Sequence, residues 1–338
     1  TYNVGIDLAL FNNRLEFTAE WYKNTSEDLL YAVPVPEQAG VSNTTVTMNA
    51  ASMNNSGFEF SATYRNRDRD FKYELSANLS TLHNRVTSLG FGTDSYISGA
   101  YITNVGQEIG QFYGWAYEGI ARTQEDLDNH ATQEGAQIGD CLYKDISGPD
   151  GKPDGKVDAN DQVVLGSGMP KIHFGLNARF EYKRFDLSIA TFGALNYHVS
   201  DDIYNSLNSC YGWGNKEVGM LDANRFSEDG STYLSNVPRT YVTNSASLGW
   251  NDLFSSRKIQ NAAYWKIANV ELGYNFPNEW FGKYVSDVRF YVSAQNLHTF
   301  TGYHGYNVDY AGGTFTPGYN FCSYPTARTF MCGVHFTF

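Results

Sequence analysis

Side chains able to hold a cation gather in one short stretch. Asp150, Asp154, Gly155, Val157, Asp158 and Asp161 read D-x-x-x-D-G-x-V-D-x-x-D. A calcium loop needs oxygen ligands at alternating positions, a glycine at its sharp turn and a buried aliphatic residue after it. The stretch supplies the glycine and the aliphatic, with Asp145 close by, but puts Lys152 at the second ligand position. Ca²⁺ or Mg²⁺ on Asp150, Asp154, Asp158 and Asp161, with Asp145 as a further ligand, is the expected cofactor. The competing reading is a solvated acidic turn. A second group is aromatic. Tyr303, Tyr306, Tyr310, Phe315, Tyr319 and Tyr324 fall in one long connection, and Tyr211 and Trp213 in another. Flat rings with a polar tip stack on sugars or grip peptides, and they also pack loops together. Trp213, Tyr211, Tyr303, Tyr306, Tyr310 and Tyr319 are the expected substrate contacts.

Catalytic chemistry finds no support. The seven histidines form no HExxH pair, and there is no GxSxG or GxGxxG. Carboxylates such as Glu16, Glu20, Glu59, Glu74 and Glu181 lie on polar strand faces and read as wet lining rather than acid/base pairs. A net charge of −12 with no block of Lys and Arg argues against nucleic acid. The four cysteines lack CxxC or zinc spacing.

The elements that position these groups are strands. The last residues, RTFMCGVHFTF, alternate strictly: Phe330, Cys332, Val334, Phe336 and Phe338 share one face, and Met331, Gly333, His335 and Thr337 the other. A strand has a side-chain period of two, so one face is apolar and the other polar or small. The same period marks Val4–Leu10, Leu15–Trp21, Phe58–Tyr64, Phe71–Leu79, Ile172–Tyr182, Phe185–Ile189, Ala268–Phe276 and Val288–Ala294. That makes nine segments, which with their flanking residues run about 9–13 residues. This is longer than the ~5–6 of a soluble strand and enough for the ~9–11 that a tilted membrane strand needs. No apolar run approaches the ~18 residues of a membrane helix. Connections alternate in length. Residues 12–13, 65–70, 183–184 and 277–287 are short; 25–55, 84–170, 198–261 and 298–327 are long. Short turns on one side and long loops on the other predict an all-β, antiparallel transmembrane β-barrel in an outer membrane, with the short turns periplasmic and the long loops extracellular. Aromatics crowd the short-turn ends, from Phe11, Tyr64, Phe71 and Tyr73 through Phe180, Tyr182 and Phe185 to Tyr274, Phe276, Trp280, Phe281 and Tyr284, as an interfacial girdle would. Nine is odd, whereas single-chain barrels are even. The chain therefore reads as part of a larger barrel whose other strands lie elsewhere. Thr1 enters a strand pattern directly, as in the C-terminal part of a longer or processed product.

Several stretches resemble the SusC/RagA family of TonB-dependent outer-membrane transporters. They include NTSEDLLYAVPVPEQAG (24–40), NAASMNNSGFEFS (49–61), GQEIGQFYGWAYEGIARTQEDL (106–127) and YKDISGPDGKPDGKVDANDQVVLGSGMPKIHFGLN (143–177). AAYWKIANVELGYNFP (262–277), VRFYVSAQNLHTFTGYHGYNVD (288–309) and SYPTARTFMCGVHFTF (323–338) continue the match to the end. Against the family pattern, Asp145–Pro153 is expanded. The resemblance implies that residues 1–338 are the last nine strands of a plugged barrel of about 22. The N-terminal plug and the TonB box would lie outside this chain. It also implies TonB-dependent active import of an oligomeric nutrient, glycan first and peptide second. The implied partners are a SusD-like surface lipoprotein acting as a lid, the TonB complex reached through the missing N-terminal region, outer-membrane lipid, and higher assembly with other surface lipoproteins. The barrel pattern alone equally fits a passive porin or a surface-exposed ligand-binding barrel.

Overall fold

The computed structural model describes residues 1–34, 45–90, 92–210, 214–240, 246–281, 285–309 and 312–338. Nine long strands form one antiparallel sheet in chain order: β1 Tyr2–Leu10, β2 Leu15–Pro34, β3 Thr45–Asn66, β4 Phe71–Thr81, β5 Ile172–Tyr182, β6 Phe185–Leu195, β7 Tyr264–Asn275, β8 Asp287–Thr301 and β9 Thr329–Thr337. Each pairs with the next. A short strand, His83–Ser88, pairs with the far part of β3.

The register shows why one face is apolar. A single rung crosses the sheet as Leu10, Leu15, Tyr64, Leu75, Ala178, Ile189, Val270, Ala294 and Phe330. The neighbouring rung is Ala9, Glu16, Thr63, Ser76, Asn177, Ala190, Asn269, Gln295 and Thr329. A slip of one residue would put polar or charged side chains among the apolar ones, so the pattern specifies the pairing. Between β1 and β2 the chain turns through Phe11, Asn12 and Asn13, all at positive φ, a region that asparagine tolerates. The girdle is present as ring contacts: Tyr64–Tyr73 at 5.9 Å, Phe71–Phe180 at 6.0 Å, Phe185–Tyr274 at 4.8 Å and Tyr274–Phe276 at 5.0 Å. Tyr284 lies outside the described residues.

One expected loop is corrected. Residues 25–55 are not a free connection, because β2 and β3 remain paired out to Pro34 and Thr45. Pairing satisfies the backbone wherever the strands run, whereas the apolar alternation is needed only where one face meets lipid. The alternation therefore stops before the hairpin does.

The other long connections fold into a layer of their own at this end. Strands 95–98, 101–104, 111–115 and 162–167 form one small sheet, and 117–120 pairs with 141–143. A third links 198–201, 260–261 and 319–320. Three small cores hold the layer. One contains Tyr197, Val199, Tyr264, Tyr303 and Val308; another Ala51, Val86, Leu89 and Ile109; the third Cys141, Tyr143 and Val157.

Candidate functional site

The polar face of the sheet carries ion pairs near its short-turn end. Arg65 on β3 bonds Glu16 on β2 at 2.6 Å and Glu74 on β4 at 2.8 Å. Arg289 on β8 holds Asp186 on β6 through Nε at 3.0 Å and Glu271 on β7 through Nη2 at 2.7 Å. Arg179 meets Glu181 at 3.1 Å. Hydroxyl contacts fill the gaps, as between Thr63 and Ser76 at 3.1 Å. Of the carboxylates read from sequence as wet lining, Glu16, Glu74 and Glu181 are thus paired with arginines, and Glu20 accepts from Asn3 Nδ2. Such a face suits water and polar solutes, as the inside of a barrel requires.

The acidic loop is built differently from a cation cage. Asp161 is fully buried, and its Oδ1 accepts from the N–H groups of Ile146 at 2.7 Å and Ser147 at 3.0 Å. Its Oδ2 accepts from Asp158 N at 2.8 Å. Asp145 accepts from Asp154 N and Gly155 N, Asp154 from Lys156 N, and Asp158 from Asn160 N. Among the described residues, no three His, Cys, Asp or Glu side chains come together as a metal-holding group. Asp150, Asp154, Asp158, Asp161 and Asp145 therefore do not fit the expected Ca²⁺ or Mg²⁺ site as arranged here. The carboxylates of Asp145, Asp154, Asp158 and Asp161 are bonded to the loop's own amides. Burial pushes the Asp161 carboxyl up, but the amides of Ser147, Asp158 and Ile146 outweigh it and hold it below its ordinary value.

The expected aromatic contacts separate. Tyr303 is only 6% exposed, within a loop core. Its hydroxyl donates to the buried Asp201 carboxylate and accepts from Asn320 Nδ2 at 2.8 Å. Burial, then this bond to a carboxylate, push the phenol up from its ordinary value. A side chain so placed orders the loop, while its remaining surface lines the cleft that Tyr306 also borders. Tyr306 is 63% exposed and lines a small polar cleft with Lys266, Asn296 and Thr326. Tyr319 is 36% exposed and stacks on Phe321 at 6.4 Å, with Tyr324 exposed beyond them. Tyr310, Tyr211 and Trp213 lie outside the described residues. Phe321 escaped the sequence reading, although its two-residue offset from Tyr319 signals a shared face. Trp115 and Trp250 escaped it too, since they are 135 positions apart and only the fold brings them to one cleft.

No family model matches the chain. Over 99% of its length it is 31% identical to TonB-dependent receptor P3 of Formosa agariphila, and over its full length 26% identical to TonB-dependent receptor SusC of Bacteroides thetaiotaomicron. It spans about a third of the length of these relatives. Among solved structures it superposes on the RagAB peptide transporter with a TM-score of 0.77, at 23% identity, covering 98% of this chain and 34% of that one. A lipid-facing antiparallel sheet, a charged inner wall and a capping loop layer agree with that likeness. Along its whole length the chain is thus similar to TonB-dependent receptors, SusC among them, and has the fold of part of an outer-membrane β-barrel.

Proposed function

We propose that this chain is the C-terminal barrel portion of a TonB-dependent importer that takes up an oligomeric nutrient, glycan first and peptide second. It works with a SusD-like surface lipoprotein, and with the TonB complex through the N-terminal region. The observation that carries the reading is the loop layer. Its three packed cores make it a shaped surface over a polar lumen, and it presents Tyr306, Tyr319, Phe321 and Tyr324 to solvent. Amphipathic rings on a rigid support favour recognition of a specific cargo, which an open pore does not need. Glycan is placed first because flat rings with polar tips match the alternating apolar and hydroxyl faces of sugars. Peptide stays second on the likeness to a protein described as a peptide transporter.

Uptake by cells carrying the full-length protein tests the reading. Loss of uptake in a TonB-null strain is the expected result. Undiminished uptake there would instead support a passive pore.

A further inference from the structure

We propose that the cleft lined by Trp115 and Trp250 in the loop layer is a saccharide subsite, holding a pyranose ring of an oligosaccharide. The inference rests on the glycan reading of the cargo. The cleft has a volume of about 580 Å³ and is lined by Trp115, Glu134, Asp158, Ala159, Trp250 and Leu253. That lies within the ~300–1,000 Å³ of small-molecule sites.

Each indole is fixed by its polar edge to another wall of the cleft. Trp115 Nε1 donates to the Asp158 carbonyl at 3.3 Å, and Trp250 Nε1 donates to the Glu134 carbonyl at 2.8 Å. Both rings rest on the core of Cys141, Tyr143 and Val157, with Trp250 tilted against Tyr143 at 6.2 Å. Their N–H groups are thus satisfied and their apolar surface is left partly exposed to the cleft. The backbone holds them at a set spacing. Trp115 N donates to Phe254 O at 3.1 Å, and a Cβ on Gly114 would stand 2.1 Å from that oxygen. Only glycine permits this approach of strand 111–115 to the turn carrying Trp250 and Leu253.

The chemistry selects the ligand. Two aromatic surfaces accept the apolar C–H face of a sugar ring. Glu134 and Asp158 are exposed residues lining the cleft, and carboxylates accept hydrogen bonds from hydroxyls. The same carboxylates repel anionic ligands, so the sugar is neutral. A cleft already ordered without its ligand loses little entropy on binding.

The test is calorimetry on the full-length protein with maltohexaose, xylohexaose, laminarihexaose and mannohexaose, and with hexa-alanine as the peptide probe. Wild type is expected to bind at least one hexaose. Trp115→Ala and Trp250→Ala are each expected to weaken that binding roughly tenfold, or about 1.4 kcal/mol, and Trp115→Phe to restore most of it. Glu134→Gln removes no packing and is expected to weaken binding severalfold, which separates recognition from misfolding. Hexaose binding that all four variants leave unchanged would overturn the cleft while sparing the glycan reading. Binding of hexa-alanine and of no hexaose would overturn both. Loss of a co-purifying lipoprotein from the tryptophan variants, with sugar binding intact, would reassign the cleft as a protein interface.

Discussion

Arg289 reaches across Gly273 to hold Asp186 two strands away. Asp186 on β6 stands opposite Gly273 on β7, and Arg289 extends from β8 over that position. A Cβ on Gly273 would lie 2.4 Å from Arg289 Nη2 and 2.6 Å from Asp186 Oδ1. The glycine is the gap through which the pair forms, and it stitches three strands together on the inner wall.

Arg289→Ala should therefore leave two partly buried carboxylates without their donor, at a cost of about 2–3 kcal/mol. Gly273→Ala should cost less, since the Arg289 side chain can bend away. Heat-modifiability on gels of the refolded full-length barrel reports both. Equal stability of Arg289→Ala and wild type would show that the pair contributes nothing.

Tyr303 and Tyr306 should respond oppositely to substitution. Tyr303→Phe removes the donor to the buried Asp201 and is expected to destabilise the loop layer by about 1–3 kcal/mol, with little change in cargo affinity per folded molecule. Tyr306→Ala is expected to weaken cargo binding severalfold with no change in melting. Hydrogen exchange of residues 198–201 and a cargo titration on the same samples separate the two effects.

Acid should loosen the loop around Asp161. Its carboxyl sits below its ordinary value in the folded protein, so the unfolded loop binds the proton more readily. The stabilisation is complete above the ordinary carboxylate value of about 3.9 and disappears as pH falls through the lower folded value. Limited proteolysis between pH 6 and 2.5 should show cleavage within 145–161 only at the acid end. Asp161→Ala should be cleaved already at pH 6. Because these oxygens are bonded to amides, millimolar Ca²⁺ is expected to release no heat, and a chelator-sensitive heat would restore the cation reading of the acidic motif.

The cysteines should differ sharply in reactivity. Cys141 and Cys210 are fully buried, and burial pushes their thiols up to about 12 and about 11. Cys322 is exposed. Brief iodoacetamide treatment at pH 7.5 followed by peptide mass spectrometry should find Cys322 modified, with Cys141 and Cys210 protected until denaturant is added.

The nine strands, their order and their two faces were legible in the sequence. Pleating alternates side chains, and lipid on one side with water on the other writes that alternation into residue type. The girdle was legible for the same reason. Where neither face meets lipid the code lapses, and the extension of β2 and β3 went unread. Loop chemistry was decided only by tertiary structure. A run of aspartates looks alike whether its oxygens face a cation or the chain's own amides, and the folded loop directs Asp161 to Ile146, Ser147 and Asp158. Tyr303 and Tyr306 are the same residue type three positions apart, yet one meets Asp201 in a core and the other meets solvent. Trp115 and Trp250, like Arg289 and Asp186, are neighbours only because distant segments pack where a glycine lets backbone or side chain through.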